Sequence, residues 1–243
     1  MWIGPGRSCY LASSLYSPGV SSAPPNRVRL AVWGGLVGLI AALNYASRFT
    51  GSGKTSTTDE IYRYSTFVGG LVLYAVWFGV VLLVTRDRFD LLCWRRPARW
   101  TRALRLAAGI AVSIWIWEAI VALLPLPQSP GKEQALAPTH WESAHAGAFA
   151  ANCILFVVVA QLVEELTFRG AGQSLLGFLG RVPSIVAVGI AFGLAHGLVE
   201  AELVLIPFGI LLAVLRDRTN SVFPGMLVHA LFNGVALAVA VLS

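Results

Sequence analysis

The sequence predicts an all-α fold: a polytopic transmembrane helix bundle of about seven spans, with its N-terminus in the cytoplasm. Three observations carry the prediction. Of the 243 residues, 56% are hydrophobic and 12% charged, with a mean hydropathy of +0.71; a soluble domain carries about 25% charged residues. The apolar residues fall into runs close to the roughly 20 residues that a helix needs to cross a bilayer. The arginines gather between those runs, as the positive-inside rule expects of cytoplasmic loops.

The elements follow in chain order. Residues 1–28 are rich in Ser, Pro and Gly and lack an apolar core followed by a cleavage site. They are expected to form a flexible tail, not a signal peptide. Three flanking spans lie within 29–126, at 29–47, 66–84 and 106–126. Four more lie within 149–242, at 149–177, 183–199, 202–216 and 221–242. The sixth is short and contains Pro207, which would kink it or stop it crossing.

Orientation comes from the connections. The stretch 86–105 holds arginines at 86, 88, 95, 96, 99, 102 and 105. Placed in the cytoplasm, it brings the N-terminus, the turn at Arg181 and the loop with Arg216 and Arg218 to the same side. With Arg169 that side holds 14 of the 18 Lys and Arg residues. The opposite side receives Arg48, Lys54, Arg63 and Lys132, and the acidic turn with Glu200 and Glu202. An odd number of spans then puts the C-terminus outside. Trp94 and Trp100, set among the arginines, read as a segment along the headgroups; most of the eight tryptophans are expected near helix ends or on lipid faces.

Several readings are excluded. The net charge of +6 does not imply nucleic acid, because the arginines are explained by topology. Cys9, Cys93 and Cys153 are too scattered for a disulfide framework or a zinc ribbon. "TGSGKTST" at 50–57 resembles a phosphate-binding loop, but Arg48 stands where the pattern needs its first Gly. His140, Glu142 and His145 beside Trp141 read as a solvated loop in preference to a metal cluster.

The chemistry lies in three polar groups inside apolar helices. In "ILFVVVAQLVEELTFRGAGQSLL" (154–176) two carboxylates and a guanidinium interrupt a spanning run, although a central charge costs about 2.5 kcal/mol or more. Glu165 and Arg169 are four apart and can pair. Glu164 points about 100° away and has no partner on its own helix. An unpaired carboxylate in apolar surroundings holds a proton well, which suits a general base. Phe192 and His196 share a helix face, beside Gly189, Gly193, Ala195 and Gly197, which allow close helix approach. His229 and Asn233 share another face and could donate to a developing oxyanion. The three groups reach similar depths only if the fourth helix runs on to about Gly177.

"EELTFR", "FGLAH" and "HALFN", complete and in order, resemble the three motifs of the CAAX-protease and bacteriocin-processing family, also called CPBP or Abi. The resemblance covers about 150–242 and none of the first 145 residues. It implies an intramembrane endopeptidase acting on a membrane-embedded protein or peptide, of CAAX type or bacteriocin-like. By that analogy Glu164 activates a water and His196 holds or polarises it. His229 and Asn233 stabilise the oxyanion, while Glu165, Arg169 and Phe192 give support. The family is often labelled metalloprotease, and Glu164, His196 and His229 could hold a divalent zinc. A Glu that binds metal cannot easily also be the base, so glutamate-based catalysis is preferred and zinc kept as the alternative. A multi-pass protein of the lipid bilayer is implied, in a bacterial inner membrane or, in a eukaryote, the endoplasmic reticulum. The competing classes are a transporter or proton relay and a non-catalytic immunity or scaffold protein. Transport calls for further strongly polar residues in the first three spans, which offer little beyond Asn44, Ser113 and Glu118.

Overall fold

A computed structural model describes residues 26–50, 60–126 and 141–242. The expected tail lies outside the described residues up to residue 25, as do most of "TGSGKTST" and His140. The described chain is all helical, with no strand. We number its seven helices α1 (Arg27–Thr50), α2 (Tyr64–Thr85), α3 (Trp100–Val121), α4 (Ser143–Leu179), α5 (Arg181–Ala195), α6 (Glu202–Thr219) and α7 (Phe223–Leu242).

Only α1 to α4 are both long and apolar enough to cross a membrane. α5 has 15 residues, roughly 22 Å of helix. It stops short of the expected 199 because Gly197 turns the chain at φ +65°, a conformation glycine adopts without steric cost. A Cβ there would also lie 2.7 Å from the Asn44 and Tyr45 backbone of α1. Asn44 Nδ2 donates to the Ala195 carbonyl at 2.7 Å and so caps α5. α6 keeps Pro207 inside an unbroken helix. α3 starts at Trp100, not 106, because nothing after Pro97 interrupts it; Arg102 and Arg105 are therefore helical.

Side-chain links show that the helices run alternately up and down. At one end Ser221 donates to the Arg95 carbonyl, Arg181 pairs with Asp217 and Arg29 lies 3.6 Å from Asp87. At the other, Arg48 pairs with Glu200 at 3.3 Å and Tyr45 bonds Glu202. Basic residues thus collect at the first end and the acidic turn at the second, as the charge pattern requires. Cys153 is a free, half-buried thiol.

α5 and α6 approach most closely, through glycine. A Cβ on Gly189 would meet the Ile210 nitrogen at 2.7 Å, and one on Gly209 the Gly189 carbonyl at 2.7 Å. α4 is irregular: Leu155–Ala160 and Leu166–Gly172 are π-helical. Such wide turns are rare and recur at functional sites. Two tryptophans expected near lipid are core residues that brace the second of them. Trp33 donates to the Thr167 carbonyl at 2.9 Å, and Trp77 to the Thr167 hydroxyl at 2.8 Å. Trp33 fits because Gly172 has no side chain; a Cβ there would lie 2.5 Å from its ring.

Candidate active site

α4, α5 and α7 bring Glu164, His196 and His229 together. Glu164 is 7% exposed. Its Oε2 lies 3.9 Å from His196 Nε2 and 3.8 Å from His229 Nε2. These gaps are too long for direct hydrogen bonds. His196 is the C-terminal cap of α5 and keeps 27% of its side chain exposed, so the group is open on the His196 side.

Both rings are oriented through Nδ1. His196 Nδ1 lies 2.8 Å from the Phe192 carbonyl, one turn back, and His229 Nδ1 lies 3.1 Å from Glu165 Oε1. A carbonyl and a carboxylate only accept, so both Nδ1 atoms carry the proton. In the neutral rings each Nε2 is then an acceptor, 3.9 and 3.8 Å from Glu164 Oε2. Three acceptors converge, and they repel unless a proton donor or a cation sits among them.

Glu165 and Arg169 form a buried layer beneath. Both side chains are fully buried, with Arg169 Nη1 2.8 Å from Glu165 Oε1. Arg169 Nη2 donates to the Gly209 carbonyl at 3.2 Å, and its guanidinium stacks 4.2 Å from the Phe192 ring centroid. Phe192 also touches the rings of His196 and His229, at 4.7 and 5.6 Å between centroids. The motif phenylalanine is thus the floor on which the guanidinium and both imidazoles rest. Asn233 is placed differently. Its Nδ2 donates to the Phe156 carbonyl in the first π-helical stretch, at 3.1 Å, leaving one amide N–H for another acceptor.

Tyr74 on α2 is the residue that sequence reasoning missed. Its hydroxyl donates to Glu164 Oε1 at 3.1 Å, so Oε2 is the oxygen left facing the imidazoles. Its ring stacks on Trp77 at 5.6 Å. A tyrosine in an apolar span gives no motif, and only its hydroxyl reaching the core could have signalled the role.

The donor set has the chemistry of a catalytic zinc site: two imidazoles with Nδ1 tied down, and one carboxylate. The spacing here, 3.8 and 3.9 Å, is wider than a bound zinc would draw it. Ligands of a single tetrahedral zinc lie roughly 3.3 Å apart, and among the described residues no three His, Cys, Asp or Glu side chains are arranged to hold an ion. His145 Nδ1 pairs with Glu142 at 2.7 Å at the surface, away from this group.

Comparison with known proteins adds one finding. Residues 146–235 match the family model described as type II CAAX prenyl endopeptidase Rce1-like. No curated protein and no solved structure matches the chain.

Proposed function

Residues 146–235 being a domain of the Rce1-like CAAX prenyl endopeptidase family, we propose that the protein hydrolyses a peptide bond of a membrane-embedded substrate with a water activated by Glu164. The observation that carries this reading is the convergence of Glu164 Oε2 with two imidazole Nε2 atoms at 3.8 and 3.9 Å. A water among the three gives one proton toward Glu164 and the other toward His196.

Glu164 removes a proton as the water oxygen adds to the scissile carbonyl carbon. The resulting oxyanion takes a hydrogen bond from the remaining Asn233 N–H, while the neutral His229, its Nδ1 proton held by Glu165, helps to hold the water. The Glu164 carboxyl then returns its proton to the leaving nitrogen as the C–N bond breaks. Proton transfer of this kind contributes typically about 10²–10⁴-fold, and one oxyanion donor about 10²–10³-fold. Tyr74 fixes which carboxylate oxygen acts. Glu165, held by Arg169, aims His229.

Seven crossings with the arginine-rich end in the cytoplasm follow from the charge segregation; α5 and α6, shorter than α1 to α4, then cross where the bilayer thins. The buried charge is tolerated because Glu165 pairs with Arg169 and Glu164 accepts from Tyr74.

The test is cleavage of a panel of membrane peptides, prenylated CAAX sequences included, by purified protein in nanodiscs with and without chelator. Cleavage that survives chelator and is lost in Glu164→Ala, His196→Ala and His229→Ala supports the reading. Cleavage abolished by chelator and restored by zinc transfers the role to a metal. No cleavage of any peptide by folded protein favours the immunity or scaffold alternative.

A further inference from the structure

At the arginine-rich end a cavity of about 160 Å³ opens between the start of α3 and the end of α6, lined by Pro97, Arg99, Arg102, Arg218 and Thr219 among others. The acids at this end are engaged elsewhere. Asp87 faces Arg29 and Arg86, Asp90 pairs with Arg88, and Asp217 pairs with Arg181. Among the described residues none of the three cavity arginines pairs with a carboxylate. The three arginines are exposed and share one open concavity, and an anion among them offsets their mutual repulsion.

Size and setting narrow the anion. The volume is below the roughly 300 Å³ at which pockets for drug-sized ligands begin, so it suits a small group. Arginine grips phosphate through paired N–H donors. Trp100, next in the chain to Arg99 of the lining, is 39% exposed, and Leu104, a turn further along α3, is 48% exposed. Exposed tryptophans mark the headgroup level, and the apolar face of α3 begins directly beyond. A soluble phosphate has no use for that face.

We propose that this cavity binds the phosphate of an anionic phospholipid, its acyl chains lying along the exposed face of α3. The site is separate from the peptidase group and stands whether or not the protein cleaves peptides.

The full chain is exchanged from phosphatidylcholine into mixtures with phosphatidylglycerol, and retained lipid is counted by native mass spectrometry. We expect one phosphatidylglycerol retained with at least about a tenfold preference. Replacing Arg99, Arg102 and Arg218 together by Gln should remove the preference and leave unfolding in phosphatidylcholine unchanged. Arg96→Gln with Arg105→Gln, exposed arginines at the same end but off the cavity lining, should keep it. Equal loss in that control means diffuse surface charge and overturns the proposal. So does wild-type protein without preference. Inorganic phosphate or glycerol 3-phosphate displacing the lipid at equal concentration overturns the lipid as the source. If the triple Gln variant does not fold, each single Arg→Gln substitution should lower the preference, and three singles at the wild-type value overturn the site.

Discussion

Arg169→Met tests the buried layer beneath the site. The guanidinium has no exposed surface and serves three partners: Glu165 Oε1 at 2.8 Å, the Gly209 carbonyl at 3.2 Å and the Phe192 ring at 4.2 Å. Methionine keeps much of the stem but leaves Glu165 a buried carboxylate supported only by His229. Removing one partner of a buried pair costs about 3–5 kcal/mol. Removing both charges is gentler, since an uncharged pair of similar volume is often neutral. Glu165→Gln with Arg169→Met should therefore recover about 1–3 kcal/mol of the single variant's loss. Equilibrium unfolding in mixed micelles measures both, with cleavage followed in parallel. Cleavage should stay low in the double variant, because His229 has lost its charged support, so stability and activity separate. A single variant as stable as wild type, or a double variant less stable than the single, would refute the reasoning.

The other predictions concern the site, its frame and one loop. Glu164→Gln keeps size and hydrogen bonding but cannot take the proton, so turnover should fall about 10²–10⁴-fold with unfolding unchanged. Tyr74→Phe frees Glu164 Oε1 and should lower kcat about tenfold at constant KM; a change in KM alone would show that Tyr74 contacts substrate instead. Gly209→Val drives a branched side chain into the Gly189 carbonyl, 2.7 Å from the first carbon added. It should destabilise by about 1–3 kcal/mol or more and separate Phe192 from Arg169. In the loop after α2, two hydrogen bonds from Arg88, each 2.9 Å, hold the Asp90 carboxyl below its usual range. A lowered native value means the contribution is present at neutral pH and fades as pH falls below about 4, so Asp90→Asn should flatten the acid limb of the stability curve.

How far the sequence could be read varies by element. Hydropathy and arginine placement marked the helices and their alternation, because both are set by the bilayer and not by tertiary detail. Depth arithmetic placed the three polar groups level, and it holds because α4 continues to Leu179. Other features were silent for physical reasons. The π-helical turns around Leu166–Gly172 depend on Trp33 and Trp77 arriving from other helices, which periodicity cannot show. The early end of α5 rests on one positive φ at Gly197 and on Asn44 from α1. Asn233 carries a donor pattern readable from sequence, but not that half of it is used by the Phe156 carbonyl. Tyr74 lies outside the matched segment, so the flanking helices complete the site as well as enclosing it.

The account rests on a water held between Glu164 and the two imidazoles and added across a peptide bond. Cleavage of a membrane peptide in ¹⁸O-labelled water, with mass analysis of the new C-terminus, tests it most directly. Wild-type protein should place one labelled oxygen in the new carboxylate, and Glu164→Gln should yield at most about a hundredth as much product in the same time. Unlabelled product, or labelled product formed equally by the Gln variant, would contradict it.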